Sequence, residues 1–93
     1  MSKNITQKHI FVSGRVQGVG FRAFLRRQAA GLNIKGWAKN LRDQRVEIVI
    51  QGKKEKIKQM ISLIKEGPSF ANVNDIEIQD EVLSEFEQFE IRF

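Results

Sequence analysis

The chain has 93 residues, 41% of them hydrophobic and 29% charged, with one Pro, one His and no Cys. That is the size of a single small domain, and the balance excludes disordered, collagen-like and low-complexity classes. Without Cys there is no disulfide framework, thiolate zinc site or Cys nucleophile, and a lone His9 makes no two-His metal site.

The net charge of +5 is unevenly spread: residues 1–45 carry +9 and residues 46–93 carry −4. A positive front half draws anions, unless it is simply a solvated basic face. No window holds 18 consecutive apolar residues, so no transmembrane helix is expected. MSKNITQKHIFVSG lacks the apolar core and small residues of a signal peptide. The expectation is one soluble, cytoplasmic domain over residues 1–93, with residues 1–7 flexible. A domain this small buries only about 60–65% of its unfolded surface, so one well-packed core must supply the stability.

HIFVSG (9–14) reads as a strand, with Ile10 and Val12 on one face. The glycine-rich RVQGVG (15–20) follows, and FRAFLRRQAAGL (21–32) then reads as a helix with Leu25, Ala29 and Leu32 on one stripe beside Phe21 and Phe24. IKGWAKN (34–40) reads as a second strand, LRDQR (41–45) as a turn, and VEIVIQG (46–52) as a third strand. In residues 53–68, Ile57, Met60, Ile61 and Ile64 follow the i, i+3, i+4, i+7 spacing of a helix that Gly67-Pro68 ends. NVNDIEIQD (72–80) and FEQFEIRF (86–93) read as a fourth and a fifth strand. The order β-α-β-β-α-β plus a last strand predicts an α+β, ferredoxin-like sandwich. Two helices lie on one face of a mostly antiparallel sheet, with a short extra strand at the C-terminal end.

A strand, a glycine-rich turn and a helix start make an anion site, because the first N–H groups of the helix lack partners and the dipole is positive there. Gly18 and Gly20 suit a concave nest of amides; they equally suit a tight turn with no ligand. A Walker loop is excluded, since no Lys-Ser or Lys-Thr follows these glycines. Gly18-Val-Gly20-Phe-Arg-Ala23 matches GxGxxA literally, but the dinucleotide fold needs parallel strands and two mononucleotide halves, and this chain is too short.

Arg22 breaks a local rule. A cation in the first turn of a helix is unfavourable by about 0.3–1 kcal/mol. No Asp or Glu lies within 15 residues of it in sequence, and Arg26 is a like-charged neighbour at i+4. Such uncompensated conflicts mark functional sites, although a solvated arginine is the plain alternative. Asn40 has two readings as well. Asn is common where strands turn, and an amide can also hold a water for attack by donating to it and accepting from it.

Together these pieces resemble the acylphosphatase family. GRVQGVGFR (14–22) is similar to its signature phosphate loop and IKGWAKNL (34–41) to its second signature; Gly67-Pro68 and the closing FEQFEIRF also fit, so the resemblance runs over residues 8–93. It implies the same ferredoxin-like fold and hydrolysis of carboxyl-phosphate anhydrides to carboxylate and phosphate. By resemblance, Arg22 is the phosphate-binding catalytic arginine and Asn40 orients the attacking water. The backbone of Gln17, Gly18, Val19, Gly20 and Phe21 forms the phosphate cradle. The chain departs from the family at two turns, with Asp43-Gln44 for the usual Asp-Gly and Leu32-Asn33-Ile34 for the usual Leu-Gly-Leu. Asn tolerates left-handed backbone better than Gln.

The carboxylic acid that leaves an acyl phosphate has a pKa of about 4, so no general acid is needed. Positioning and charge stabilisation suffice, and a forked guanidinium suits phosphate better than an ammonium. No acidic cluster lies near the loop, so no metal and no cofactor are expected. The expected partners are a small acyl phosphate and inorganic phosphate, bound by a monomer, with no membrane and no nucleic acid. A non-catalytic phosphate- or anion-binding module is the alternative. An RNA-binding domain is the more distant one, since the third strand has no aromatic residue.

Overall fold

The computed structural model describes residues 4–93. Its elements run β1 (Ile5–Arg15), α1 (Phe21–Leu32), β2 (Lys35–Asn40), β3 (Val46–Lys53), α2 (Lys54–Glu66), β4 (Asn72–Glu81) and β5 (Phe89–Arg92). The sheet order is β4-β1-β3-β2-β5. The β1–β3, β1–β4 and β2–β3 pairs are antiparallel and β2–β5 is parallel. Each helix crosses over one intervening strand, α1 from β1 past β3 to β2 and α2 from β3 past β1 to β4, which is the split βαβ plan.

The period-2 pattern of the strands decides which face is covered. Ile10 and Val12 of β1 face inward with Val46, Ile48 and Ile50 of β3 and Ala38 of β2, and all are fully buried. On this face sit Phe21, Leu25 and Ala29 of α1 and Ile57, Met60 and Ile64 of α2. Burying each large apolar side chain stabilises the fold by about 1.5–3 kcal/mol. Both helices therefore cover one face, as expected. Val49 is also buried, but on the opposite face, where its register partners His9 and Trp37 flank it.

β1 begins earlier than the hydrophobic pattern predicts. Residues 5–7 are strand, not a flexible lead; the rest of that expected lead includes residues 1–3, which lie outside the described residues. The reason is polar. Gln7 is only 3% exposed, and its carboxamide is fully engaged. Its Nε2 donates to Glu81 Oε1 at 2.9 Å and Ser84 Oγ at 3.3 Å. Its Oε1 accepts from Gln51 Nε2 and the Ser84 backbone N–H, both at 2.8 Å. Each such bond contributes about 0.5–1.5 kcal/mol net, and together they pin the β4–β5 connection to the open face of the sheet. On that face His9 lies between Glu47 (2.6 Å) and Glu81 (3.1 Å) and stacks on Phe11.

The remaining boundaries shift slightly. α2 starts at Lys54 because Lys53 is extended. β5 covers only Phe89–Arg92 of the expected 86–93. Ile76 and Ile78 share a face of β4, but at the edge of the sheet only Ile76 packs against the core, and Ile78 is 39% exposed.

Candidate active site

The loop between β1 and α1 is anchored at both ends by apolar side chains. Val16 and Phe21 are 1% and 2% exposed, and Val19 packs against the same core. Between these anchors the backbone curls. Gly18 (φ 74°) and Gly20 (φ 77°) are left-handed, a region costly to other residues. A Cβ at either would meet nothing within 4 Å, so these positions need the conformation and not the space. Gly20 occupies the N-cap of α1, and no side chain caps that end. The first N–H groups of α1 therefore remain for an anion.

This loop forms one wall of a pocket of about 180 Å³, several times the ~30 Å³ that a water occupies in the liquid. Gly18, Gly20, Phe21 and Arg22 line it from the loop and α1, Asn40 from the end of β2, and Ile91 from β5. Larger hollows of about 360 and 380 Å³ lie beside Arg26 and Lys56. Chemistry distinguishes the smaller one. Among the described residues, two buried side-chain polar atoms lack a hydrogen bond, Thr6 Oγ1 and Asn40 Oδ1. Of these two residues, Asn40 lines the pocket with Arg22. Leaving such an acceptor unmet costs about 1–3 kcal/mol, and a polar guest in the pocket would remove that cost.

Arg22 is half-buried. Its Nη1 donates to the Arg92 carbonyl at 3.2 Å, and its guanidinium lies 4.9 Å from the centre of the Phe93 ring. Among the described residues no carboxylate lies within 4 Å of it. Four of the five guanidinium N–H donors are thus left for solvent or ligand, and its charge has no counter-ion.

The β2–β3 turn holds Asn40 in place. Asn40 pairs with Val46, the Leu41 N–H donates to the Arg45 carbonyl at 2.8 Å, and the Asp43 carboxylate accepts from the Arg45 backbone N–H and its Nε. The Arg45 backbone N–H, and with it the guanidinium, holds the Asp43 carboxyl below its ordinary value. Gln44 carries φ 80° where glycine is usual, while Asn33, the other departure, caps α1 at φ 57°. At Asn33 the chain closes with the Ile34 N–H donating to the Ala29 carbonyl at 2.9 Å. Asn suits this position and Gln does not suit the other. Gln44→Gly is expected to raise stability by about 0.5–1 kcal/mol, seen in urea unfolding as a higher midpoint at unchanged slope. A lower midpoint would mean that the turn is unstrained.

Arg22, Asn40 and the loop, read from sequence as separate oddities, therefore meet around one hollow. Gln17 and Val19 do not line it. Val19 faces the core, and the Gln17 side chain reaches across to the β2–β3 turn, with Nε2 donating to the carbonyls of Leu41 (2.8 Å) and Arg45 (2.9 Å). Sequence reading missed Val16, Ala23 and Ile91 as lining residues. Ile91 alternates with polar neighbours in the last strand, but its pattern gives no hint of which strand it lies beside.

The acylphosphatase family model matches residues 8–91. The chain belongs to the acylphosphatase family. An acylphosphatase of Haloarcula marismortui is 42% identical over 88 residues, covering 95% of this chain and 97% of that protein. The solved acylphosphatase structure from Coxiella burnetii superposes with a TM-score of 0.94 at 37% identity, covering 98% of this chain and 96% of that one. The structure from Bacillus subtilis gives 0.92 at 37% identity, covering 95% and 99%. As an acylphosphatase, the chain is a hydrolase acting on acyl phosphates. Among the described residues no helix is long and apolar enough to cross a membrane.

Proposed function

We propose that the chain hydrolyses small acyl phosphates by direct attack of one oriented water, without a metal ion. The transferring phosphoryl group sits in the hollow of the loop. Backbone N–H groups of Gln17 to Phe21 and the free donors of Arg22 hold its non-bridging oxygens. Asn40 Oδ1 accepts a hydrogen bond from the attacking water and so aims its lone pair at phosphorus; both protons of the water end on the inorganic phosphate product. The acyl oxygen leaves as a carboxylate, which at a pKa of about 4 needs no protonation. The products are a carboxylate and inorganic phosphate.

The observation that carries this reading is the pairing, in one pocket, of an unmet carboxamide oxygen with a guanidinium lacking a counter-ion. Anion binding alone would account for Arg22 and the amides. It would leave a buried acceptor beside them without purpose. The metal-free route is supported by the side chains present: among the described residues no group of three or more His, Asp or Glu is arranged to hold an ion. One chain supplies every group the reaction uses, so the proposed working unit is a monomer acting in the cytoplasm on a dissolved substrate, with no nucleic acid involved.

Release of phosphate from acetyl phosphate or benzoyl phosphate tests the reading. Turnover is expected well above the uncatalysed rate and undiminished after exhaustive chelation. Binding of phosphate without turnover would identify an anion-binding module, and activity lost to chelation but restored by Mg²⁺ would end the metal-free mechanism.

A further inference from the structure

We propose that the Gln17 side chain is a positioning residue for hydrolysis: its carboxamide clasps the phosphate loop to the turn that ends β2 and thereby sets where Asn40 points. The proposal rests on the roles given above to the loop and to Asn40. Its geometry is independent of them.

A carboxamide NH₂ has two donors, and Gln17 directs both at one place. The Leu41 carbonyl at 2.8 Å belongs to the residue directly after Asn40. The Arg45 carbonyl at 2.9 Å belongs to the residue directly before Val46, the ladder partner of Asn40. The two acceptors thus face each other across the hairpin immediately beyond the Asn40–Val46 pair, on its turn side. Each carbonyl already accepts a bond inside the turn, from the Gln44 N–H and the Leu41 N–H respectively. The turn is therefore closed without Gln17, and what the side chain adds is a tie between the turn and the loop. Among the described residues, no other side chain of residues 16–20 hydrogen-bonds to the turn.

Such a tie matters because the water must lie in line between a phosphoryl group held by the loop and an amide held by the turn. The two holders belong to different elements. Gly18 and Gly20, which follow Gln17, bring no side chain that could hold the spacing. A shift of about 1 Å in a reacting partner can cost on the order of 10²-fold in rate. A residue that only supported the fold would change stability and leave the turnover of each folded molecule alone.

The test uses the full chain with acetyl phosphate as substrate and orthophosphate as inhibitor. Gln17→Met keeps the length of the side chain and removes both donors; Gln17→Asn keeps the donors and is too short to reach. Each is made alone and together with Asn40→Ala, with urea unfolding run on every variant. The expected result is a loss of about 10- to 100-fold in kcat for folded Gln17→Met, with the orthophosphate inhibition constant within about threefold of wild type. Adding Gln17→Met to Asn40→Ala is expected to lower kcat no further, because the group being positioned is already gone. Unchanged kcat in Gln17→Met, equal losses in both backgrounds, or loss of orthophosphate affinity would each overturn the clasp. So would failure of both Gln17 variants to fold, since Gln17 would then be a requirement of the fold. If wild type shows no turnover, or Asn40→Ala keeps full kcat, the assignment of the site falls and the clasp with it. An Asn40 defect beside a normal Gln17→Met overturns the clasp alone.

Discussion

Arg22→Gln is expected to remove phosphate binding and turnover together. Arg22 lines the pocket with no carboxylate within 4 Å of its guanidinium among the described residues, so its charge is uncompensated until an anion arrives. Gln retains a hydrogen-bonding head but loses the charge and the fork that spans two phosphoryl oxygens. Charge stabilisation by one such arginine in phosphoryl transfer is worth on the order of 10³- to 10⁵-fold, so kcat/KM should fall by at least about 10³-fold. Orthophosphate, binding through the same oxygens, should cease to inhibit in the millimolar range. Stability should barely move, because among the described residues the guanidinium makes one hydrogen bond, to the Arg92 carbonyl, and one stacking contact, with the Phe93 ring. Arg22→Lys is expected to recover little, since a point charge on a flexible stem does not reproduce the fork. Strong orthophosphate inhibition of a folded Arg22→Gln protein would remove Arg22 from the phosphate site.

Asn40→Ala separates attack from binding. The loop and Arg22 remain, so orthophosphate inhibition should stay within about threefold of wild type. The attacking water loses its acceptor, and kcat should drop by on the order of 10²-fold or more. The same substitution deletes a buried oxygen that has no partner among the described residues. An unmet acceptor costs about 1–3 kcal/mol, so the variant should be as stable as wild type or slightly more so. Lower activity with equal or higher stability is the mark of a group kept for chemistry and not for the fold. Full kcat in Asn40→Ala would mean that water is oriented by something else, whatever the stability.

The two residues were not equally legible. Arg22 stands out in the sequence because it violates a local electrostatic preference, and a local conflict can be seen locally. Asn40 violates nothing: an asparagine where a strand turns is unremarkable. Only the burial of its Oδ1 in the pocket that Arg22 also lines marks it, and burial is a property of the packed chain. Gln17 is a third case. Its backbone place beside the glycines can be read along the chain, but the side-chain bonds to Leu41 and Arg45 span 24 and 28 residues. No periodicity carries that distance.

The fold divides in the same way. The helical stripe of Ile57, Met60 and Ile64 and the alternation of Val46, Ile48 and Ile50 are periodicities of a few residues, so they specify both the element and its buried face. The start of β1 does not follow from them. Ile5-Thr6-Gln7 carries no apolar alternation, and it becomes strand because β3 pairs with its backbone and because β3, β4 and the Ser84 segment supply partners for the Gln7 carboxamide. The placement of β5 parallel to β2 is likewise invisible in FEQFEIRF, although it brings Ile91 to the pocket and the Arg92 carbonyl to Arg22.

By itself the sequence determined the element types and their order, the layered plan, the glycine-rich loop before a helix and the odd arginine. All of these arise from interactions within one or two turns or one strand pair. The tertiary structure alone decided the strand neighbours, the buried carboxamide oxygen in the pocket that Arg22 also lines, and the side chain that ties loop to turn. Those depend on groups far apart in sequence. Their energies exist only once the hydrophobic core has brought β1, β2 and β3 into register.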